Sequence, residues 1–284
     1  MTDGAALQLI AELLHAKTGQ EITESRRWRV PAALHGVFRE LGIASLDELA
    51  LILAKPHPAD LPGRIVDALL NNETYFFRDR NYFELLSEQI LPAIAERRSA
   101  ARRLRIWSAG CSTGQEPLSL AMMLLDQPER WRCWSLEIVA TDISSRAIRA
   151  ARKGTYSQFE IQRGISITEM LTHFTKHRTQ WQAKEPLQRM IRFQQANLLD
   201  SPPAGGPFDL ILCRNVLMYF APDARQRALA RLHGVLARDG WLMLGAGETV
   251  LEQPQLLRAA GCGAGLYQPA AAGAGVQSDQ GALA

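Results

Sequence analysis

Five short stretches of this 284-residue chain carry side chains that can bind a small molecule or move one of its groups. In SAGCSTGQEP (residues 108–117) an apolar run ends in small residues and a helix begins. Small residues let the backbone approach a ligand closely. The spacing is not GxGxxG, which argues against a dinucleotide pyrophosphate and leaves a plain strand-to-helix turn as the competing reading. Asp142 closes LEIVATD, where a carboxylate can accept hydrogen bonds from both hydroxyls of a ribose. It can also cap the helix predicted for SSRAIRAARKG. FDLILCRN delivers Arg214 and Asn215 at the end of an apolar run, with Tyr219 shortly after. Polar side chains there are costly unless they serve a ligand or a partner, although an Arg-Asn turn closed by an aromatic plug has the same sequence. NNETYFFRDR (residues 71–80) puts Thr74 and Arg78 on one face if the segment is helical, while Tyr75, Phe76 and Phe77 read as interdomain packing. Asn197 can offer its amide to an adenine edge and Leu198 an apolar wall; a strand-end turn is the alternative for Asn197.

Other chemistries find little support. His173 and His177 have metal-ligand spacing on a predicted helix, but no third ligand accompanies them, so no metal is expected. Cys111, Cys133, Cys213 and Cys262 include no CxxC pair. That fits neither zinc nor a disulfide framework and suits a reducing cytoplasm. No G-x-S-x-G elbow or P-loop occurs.

The elements that must position these stretches follow from hydrophobic periodicity. LRIWSAG, LEIVATDI, IRFQQANL, FDLILCRN and WLMLG are short apolar runs separated by helical segments such as LSLAMMLL and PDARQRALARLHGVLARDG (residues 222–240). Strands alternating with helices predict an α/β fold with a doubly wound, mostly parallel sheet. Residues 1–70 read as a small all-helical domain. A capping box is expected at Ser45 and Glu48, and Pro31 counts against the second helix without excluding it. Residues 71–100 read as a linker and first helix, 101–268 as the sheet domain, 155–190 as a polar inserted subdomain, and 269–284 as a disordered tail.

Charge and composition narrow the classes. Hydrophobic residues make up 47% and charged residues 21%, as in a packed globular protein. The net charge of +3 offers no global basic field for nucleic acid. Neither a signal peptide nor an apolar membrane span is expected, so the predicted location is cytoplasmic, without membrane insertion.

Taken in order and spacing, NETYFFR (72–78), WSAGCSTGQEP (107–117), ATDIS (140–144), ANLL (196–199) and FDLILCRNVLMYF (208–220) resemble the chemotaxis receptor glutamate O-methyltransferases, the CheR type of S-adenosylmethionine-dependent enzyme. GWLMLGAGE (240–248) looks like a degraded form of that family's closing strand motif. The resemblance implies a class I, Rossmann-like methyltransferase fold that binds S-adenosylmethionine and yields S-adenosylhomocysteine. It implies that Asn72, Thr74 and Arg78 lie against the cofactor, that Glu116 holds its amino-acid portion and Asp142 its ribose, and that Asn197 and Leu198 border its adenine. Arg214 and Asn215 would sit at the reaction edge and Tyr219 near the incoming substrate, with Arg78, Tyr219 and Arg214 as the catalytic candidates. The implied partner is the cytoplasmic domain of a chemoreceptor or a related signalling protein. The family's receptor-facing helix is Arg-rich; here it keeps Arg26, Arg27, Arg29 and Arg39 but contains Pro31, Ala33 and Gly36. HFTKHRTQWQAKEPLQRM lacks the family's Gly-x-Gly loop for a receptor's C-terminal pentapeptide, which implies independence of that tether. A methyltransferase acting on another signalling protein, or a non-catalytic cofactor-binding module, is the alternative.

Overall fold

The computed structural model describes residues 3–261, 263 and 265–270. Four helices come first: α1 (Asp3–Thr18), α2 (Val30–Leu41), α3 (Leu46–Leu53) and α4 (Leu61–Leu69). Their apolar faces meet in a core of their own, in which Ile10, Leu34, Leu49, Leu61 and Ile65 are fully buried. Ser45 caps α3 by accepting from the Glu48 N–H at 3.2 Å, while the Glu48 carboxylate accepts from Ala44 N instead of the cap residue. Pro31 does not break the second helix, because it lies in the first turn of α2, where its missing N–H costs no helical bond.

A linker of turns leads to α5 (Arg80–Leu85), a π turn and α6 (Leu91–Arg97). Thr74 and Arg78 therefore do not share a helix. β1 (Arg103–Ala109), α7 (Gln115–Leu125), β2 (Ser135–Asp142) and α8 (Ser145–Lys153) follow. The chain then leaves the sheet for β3 (Thr155–Ser157), α9 (Gln158–Gln162), α10 (Ile167–His173), β4 (Phe174–His177) and β5 (Gln180–Ala183). It returns through α11 (Glu185–Arg189) to β6 (Ile191–Gln195). β7 (Phe208–Cys213), α12 (Pro222–Val235), β8 (Leu236–Leu244), β9 (Leu257–Ala259) and β10 (Leu266–Pro269) complete the described chain.

The main sheet has the order β6-β2-β1-β7-β8-β10-β9. Its first five strands are parallel, and β10 is antiparallel to both neighbours. Alternate residues serve the two faces: Ile106 and Leu210 enter one apolar core, Trp107 and Ile211 the other. All of β7 is buried, and only Arg103 of β1 is exposed. Parallel strands covered on both faces require such apolar runs. The strand order reverses between β1 and β7, and ligands of open α/β sheets bind outside the strand C-termini at such a switch point.

The polar interruption forms a three-stranded antiparallel sheet, β3-β5-β4. Tyr156 and Phe174 from it pack edge-on against Phe76 of the linker, with ring centroids 5.0 and 5.4 Å away. The helical part docks at the switch point, where Glu21 N donates to Tyr219 O (2.9 Å) and Ala221 N to Gly19 O (2.9 Å). Gly19 has φ +72°, and a Cβ there would stand 2.7 Å from the Ala224 Cβ, so the contact requires glycine.

Three further sequence expectations change. The last parallel strand starts at Leu236, not Trp241, because Leu236 pairs with Phe208 before a register shift sets Trp241 beside Leu210. α12 accordingly ends at Val235. His173 ends α10 and His177 ends β4, so they do not share a helix face; His173 Nε2 lies 2.9 Å from Asp126 Oδ1. Of the tail expected over 269–284, Pro269 belongs to β10 and Ala270 N donates to Leu256 O at 2.8 Å, while residues 271–284 lie outside the described residues. Among the described residues no helix is long and apolar enough to cross a membrane.

Candidate active site

A cleft of about 880 Å³ opens outside the C-terminal ends of β1, β2, β6 and β7. Asn72, Thr74 and Arg78 of the linker line it, as do Glu116, Asp142, Asn197 and Leu198. Arg214, Asn215 and Tyr219 complete the set, so all five stretches converge on one space.

Asp142 is buried at the tip of β2. Its Oδ2 accepts from Ser112 N and its Oδ1 from Ser144 N, both at 2.8 Å. It does not cap α8; Ser144 does, accepting from Ala147 N at 3.1 Å. An ionised carboxylate has about four acceptor sites, so both oxygens keep capacity for hydroxyl donors. Burial pushes the Asp142 carboxyl above its usual range, against the pull of the Ser144 and Ser112 N–H groups.

Glu116 lies in the first turn of α7, where the helix dipole favours an anion. It is held by Ser108 Oγ at 2.8 Å and by Arg214 at 3.3 Å. Burial raises this carboxyl as well, and Arg214 and Ser108 oppose the rise. Arg214 has only 1% of its side chain exposed. It donates to Asp79 (2.8 Å) and to Arg78 O (2.7 Å) as well as to Glu116, and lies over the rings of Tyr82 and Phe83. Its cationic fork is thus engaged with protein, and it ties the linker to α7. Removing one partner of a buried pair of this kind typically costs about 3–5 kcal/mol.

Arg78 differs. Its guanidinium donates to Glu73 O at 3.1 Å and has no carboxylate partner among the described residues, so its charge remains available in the cleft. Tyr219 accepts from Asn71 Nδ2 at 2.8 Å, and the Arg26 guanidinium covers its ring at 4.3 Å. Asn197 lines the cleft, and its side chain is also held locally: its amide donates to Lys17 O (2.9 Å) and its Oδ1 accepts from Leu199 N (3.0 Å). That side chain joins α1 to the end of β6. Glu73, at the rim, pairs with Arg163 of the insertion at 3.0 Å. Arg163, then Arg78 and Arg29, hold the Glu73 carboxyl below its usual range.

Sequence reasoning missed Glu248. This buried carboxylate lies beyond β8 and accepts from Asn215 N (2.7 Å), Gly245 N (2.7 Å), Val216 N (2.9 Å) and Met218 N (3.1 Å). It clasps the loop that carries Asn215, in the left-handed region at φ +59°, into the cleft. The only signal was an acid closing GWLMLGAGE; nothing in that run names its partners, which are main-chain groups of another loop. Burial pushes the Cys111 and Cys213 thiols well above their usual range, so neither is a poised nucleophile. No His, Cys or Lys lines the cleft among the described residues.

The sequence model described as "CheR methyltransferase, SAM binding domain" matches residues 72–265. Chemotaxis protein methyltransferase 1 of Pseudomonas aeruginosa is 35% identical over 267 residues, covering 92% of this chain and 96% of that one. Chemotaxis protein methyltransferase Cher2 of Pseudomonas putida is 35% identical over 261 residues, covering 90% and 94%. A chemotaxis protein methyltransferase of Borreliella burgdorferi is 32% identical over 251 residues, covering 86% and 88%. The chain therefore belongs to the CheR methyltransferase family, and most of the cleft's lining lies in that family's S-adenosylmethionine-binding domain, with Thr18, Gln20, Leu70 and Asn71 contributed from before it.

Proposed function

We propose that the chain methylates glutamate side chains in the cytoplasmic part of a chemoreceptor, giving methyl esters. The observation that carries this reading is the cleft itself. It joins buried acids suited to a cationic, ribose-bearing ligand to a rim formed by Arg78 and Tyr219, where a carboxylate acceptor could be received. The relatives' names supply the chemotaxis context.

The residues present fit S-adenosylmethionine. Asp142 has spare acceptor sites for ribose hydroxyls, Glu116 is an anion for an ammonium group, and Leu198 is an apolar wall. When bound, the cofactor supplies an electrophilic methyl on a sulfonium. A glutamate acceptor is already ionised at neutral pH (ordinary pKa ~4.3), so the chain needs no general base. Its task is alignment, with the acceptor oxygen held at roughly 3–3.5 Å from the methyl. The bidentate fork of Arg78 can orient a carboxylate. Excess positive charge there would stabilise the ground state, so Arg78 acts by positioning. Opposite charges vanish as the methyl moves, which a dry cleft favours. Arg214 acts through Glu116 and the linker, and Asn197 through the docking of α1. The β4–β5 turn, His177-Arg178-Thr179-Gln180, contains no glycine, and we extend the proposal to a receptor bound without a C-terminal pentapeptide.

The test incubates the chain with methyl-labelled S-adenosylmethionine and receptor cytoplasmic domains, then treats the protein with mild base. Label released as methanol supports an ester; base-stable label contradicts it. In the same assay Arg78→Ala is expected to lower kcat at least about tenfold while weakening cofactor binding less, since a lost bidentate contact is worth about 1.5–3 kcal/mol. Equal losses would make Arg78 a cofactor-holding residue only.

The raised Glu116 and Asp142 carboxyls give a pH dependence. Both must be ionised to serve a cationic, hydroxyl-bearing ligand, and protonation competes with binding as pH falls through their raised range. S-adenosylhomocysteine affinity is expected to fall on acidification, starting at a higher pH than that at which ordinary carboxylates titrate and approaching tenfold per pH unit for each proton taken up. Calorimetry showing a flat profile contradicts the assignment.

A further inference from the structure

One loop of the insertion seats on the linker that walls the cleft. At Gly164 (φ +100°) the two chains run so close that a Cβ would overlap Phe76 O, so only glycine fits. Arg80 Nη2 donates to Gly164 O at 2.7 Å. One residue earlier, Arg163 Nη2 donates to Glu73 Oε1 at 3.0 Å, and its guanidinium covers the Tyr75 ring at 4.2 Å. The insertion therefore grips the linker on either side of Arg78.

Glu73 stands where it could interfere. Its main-chain carbonyl accepts from the Arg78 guanidinium at 3.1 Å, so the two residues already touch. Its side chain lines the cleft and carries the same group as the proposed acceptor, a glutamate carboxylate. After Arg163, Arg78 is the cation that acts most strongly on that carboxylate, ahead of Arg29. Yet among the described residues the Glu73 carboxylate pairs only with Arg163, and Arg78 keeps no carboxylate partner. A carboxylate satisfied by one guanidinium has less to gain from a second.

We propose that Arg163 is a positioning residue: it holds the Glu73 carboxylate away from Arg78, which leaves the Arg78 guanidinium open to the incoming carboxylate. Glu73 is then a built-in competitor for the acceptor, restrained by the insertion. The inference rests on the carboxylate-methylating reading above and adds to it a role for the insertion, which reaches Arg78 through Glu73. Competition for one cation weakens acceptor binding, so it raises KM and leaves kcat at saturation unchanged.

The probe is a receptor segment that the wild-type chain esterifies in the labelled assay. Arg163→Met is expected to raise KM for that segment about fivefold, with kcat and S-adenosylhomocysteine affinity held. Fivefold corresponds to about 1 kcal/mol, the upper range for an ion pair as exposed as the one that Glu73 would form. Arg163→Lys keeps a cation for Glu73 and is expected to restore most of the loss. In a Glu73→Gln background no competitor remains, so adding Arg163→Met is expected to leave KM where Glu73→Gln alone puts it. Melting curves confirm that each variant is folded. Unchanged KM in folded Arg163→Met overturns the proposal while leaving the methyltransferase reading intact. So does a rise of the same size in the Glu73→Gln background, which would make Arg163 a plain strut or a substrate contact. A wild-type chain that esterifies no receptor segment overturns both.

Discussion

Glu248→Gln is expected to reduce methyl transfer by about a hundredfold and to lower the melting temperature. Each Glu248 oxygen accepts two main-chain N–H groups: Oε2 from Asn215 and Gly245, Oε1 from Val216 and Met218. A glutamine has the same shape but only one accepting oxygen. Its amide group would face two N–H donors whichever way it turned. A buried donor left unsatisfied costs about 1–3 kcal/mol, so two predict a loss of about 2–6 kcal/mol. At about 2–4 °C per kcal/mol for a chain of this size, the melting temperature falls several degrees or more. The site suffers beyond the loss of stability, because the clasped loop carries Asn215 and leads directly into Tyr219. Gly245 belongs to the same device: a Cβ there would stand 2.8 Å from both Asn215 N and Glu248 Oε2. Kinetics on Glu248→Gln, Tyr219→Phe and the double variant separate the two roles. If Glu248 acts by placing the Tyr219 loop, the losses are less than additive. Strict additivity would reduce Glu248 to general stability.

Asp142→Ala is expected to weaken S-adenosylhomocysteine binding by at least tenfold, with the apo protein still folded. The substitution removes the acceptor for any ribose hydroxyl and leaves Ser112 N and Ser144 N without their partner. Hydrogen bonds to a charged group contribute about 1.5–3 kcal/mol each, which spans tenfold to more than a hundredfold. Asp142→Asn keeps the shape and loses the charge, and is expected to fall between wild type and Ala. Calorimetry reads the affinity, and melting without ligand shows whether folding is intact. Unchanged affinity in the Ala variant would remove Asp142 from the cofactor site.

The scaffold was legible because buried parallel strands have little choice of residue. FDLILC and LRIWSA are largely apolar since both faces are covered, and the polar residues that follow them mark the strand ends at the switch point. The α12–β8 boundary was less legible. LARDG has helical composition, and the pairing of Leu236 with Phe208 across the sheet decides it. The candidate residues were found by type and position, and they line one cleft. What each does locally was harder to read, because the deciding partners come from distant segments. Asn197 is committed to Lys17, Arg214 to Asp79 and Glu116, and Tyr219 to Asn71 and Arg26. Glu248 was the least visible, since its partners are main-chain N–H groups, which carry no sequence signature.

The central claim is that one cleft at the β1–β7 switch point grips the methyl donor beside the acid acceptor. A crystal structure with S-adenosylhomocysteine tests it most directly. The expected result is the ribose on Asp142, the amino group toward Glu116, the adenine beside Leu198, and the sulfur facing the side of the cleft where Arg78 and Tyr219 lie. A nucleoside seated in another hollow, or one that leaves Asp142 and Glu116 without contact, would contradict the account.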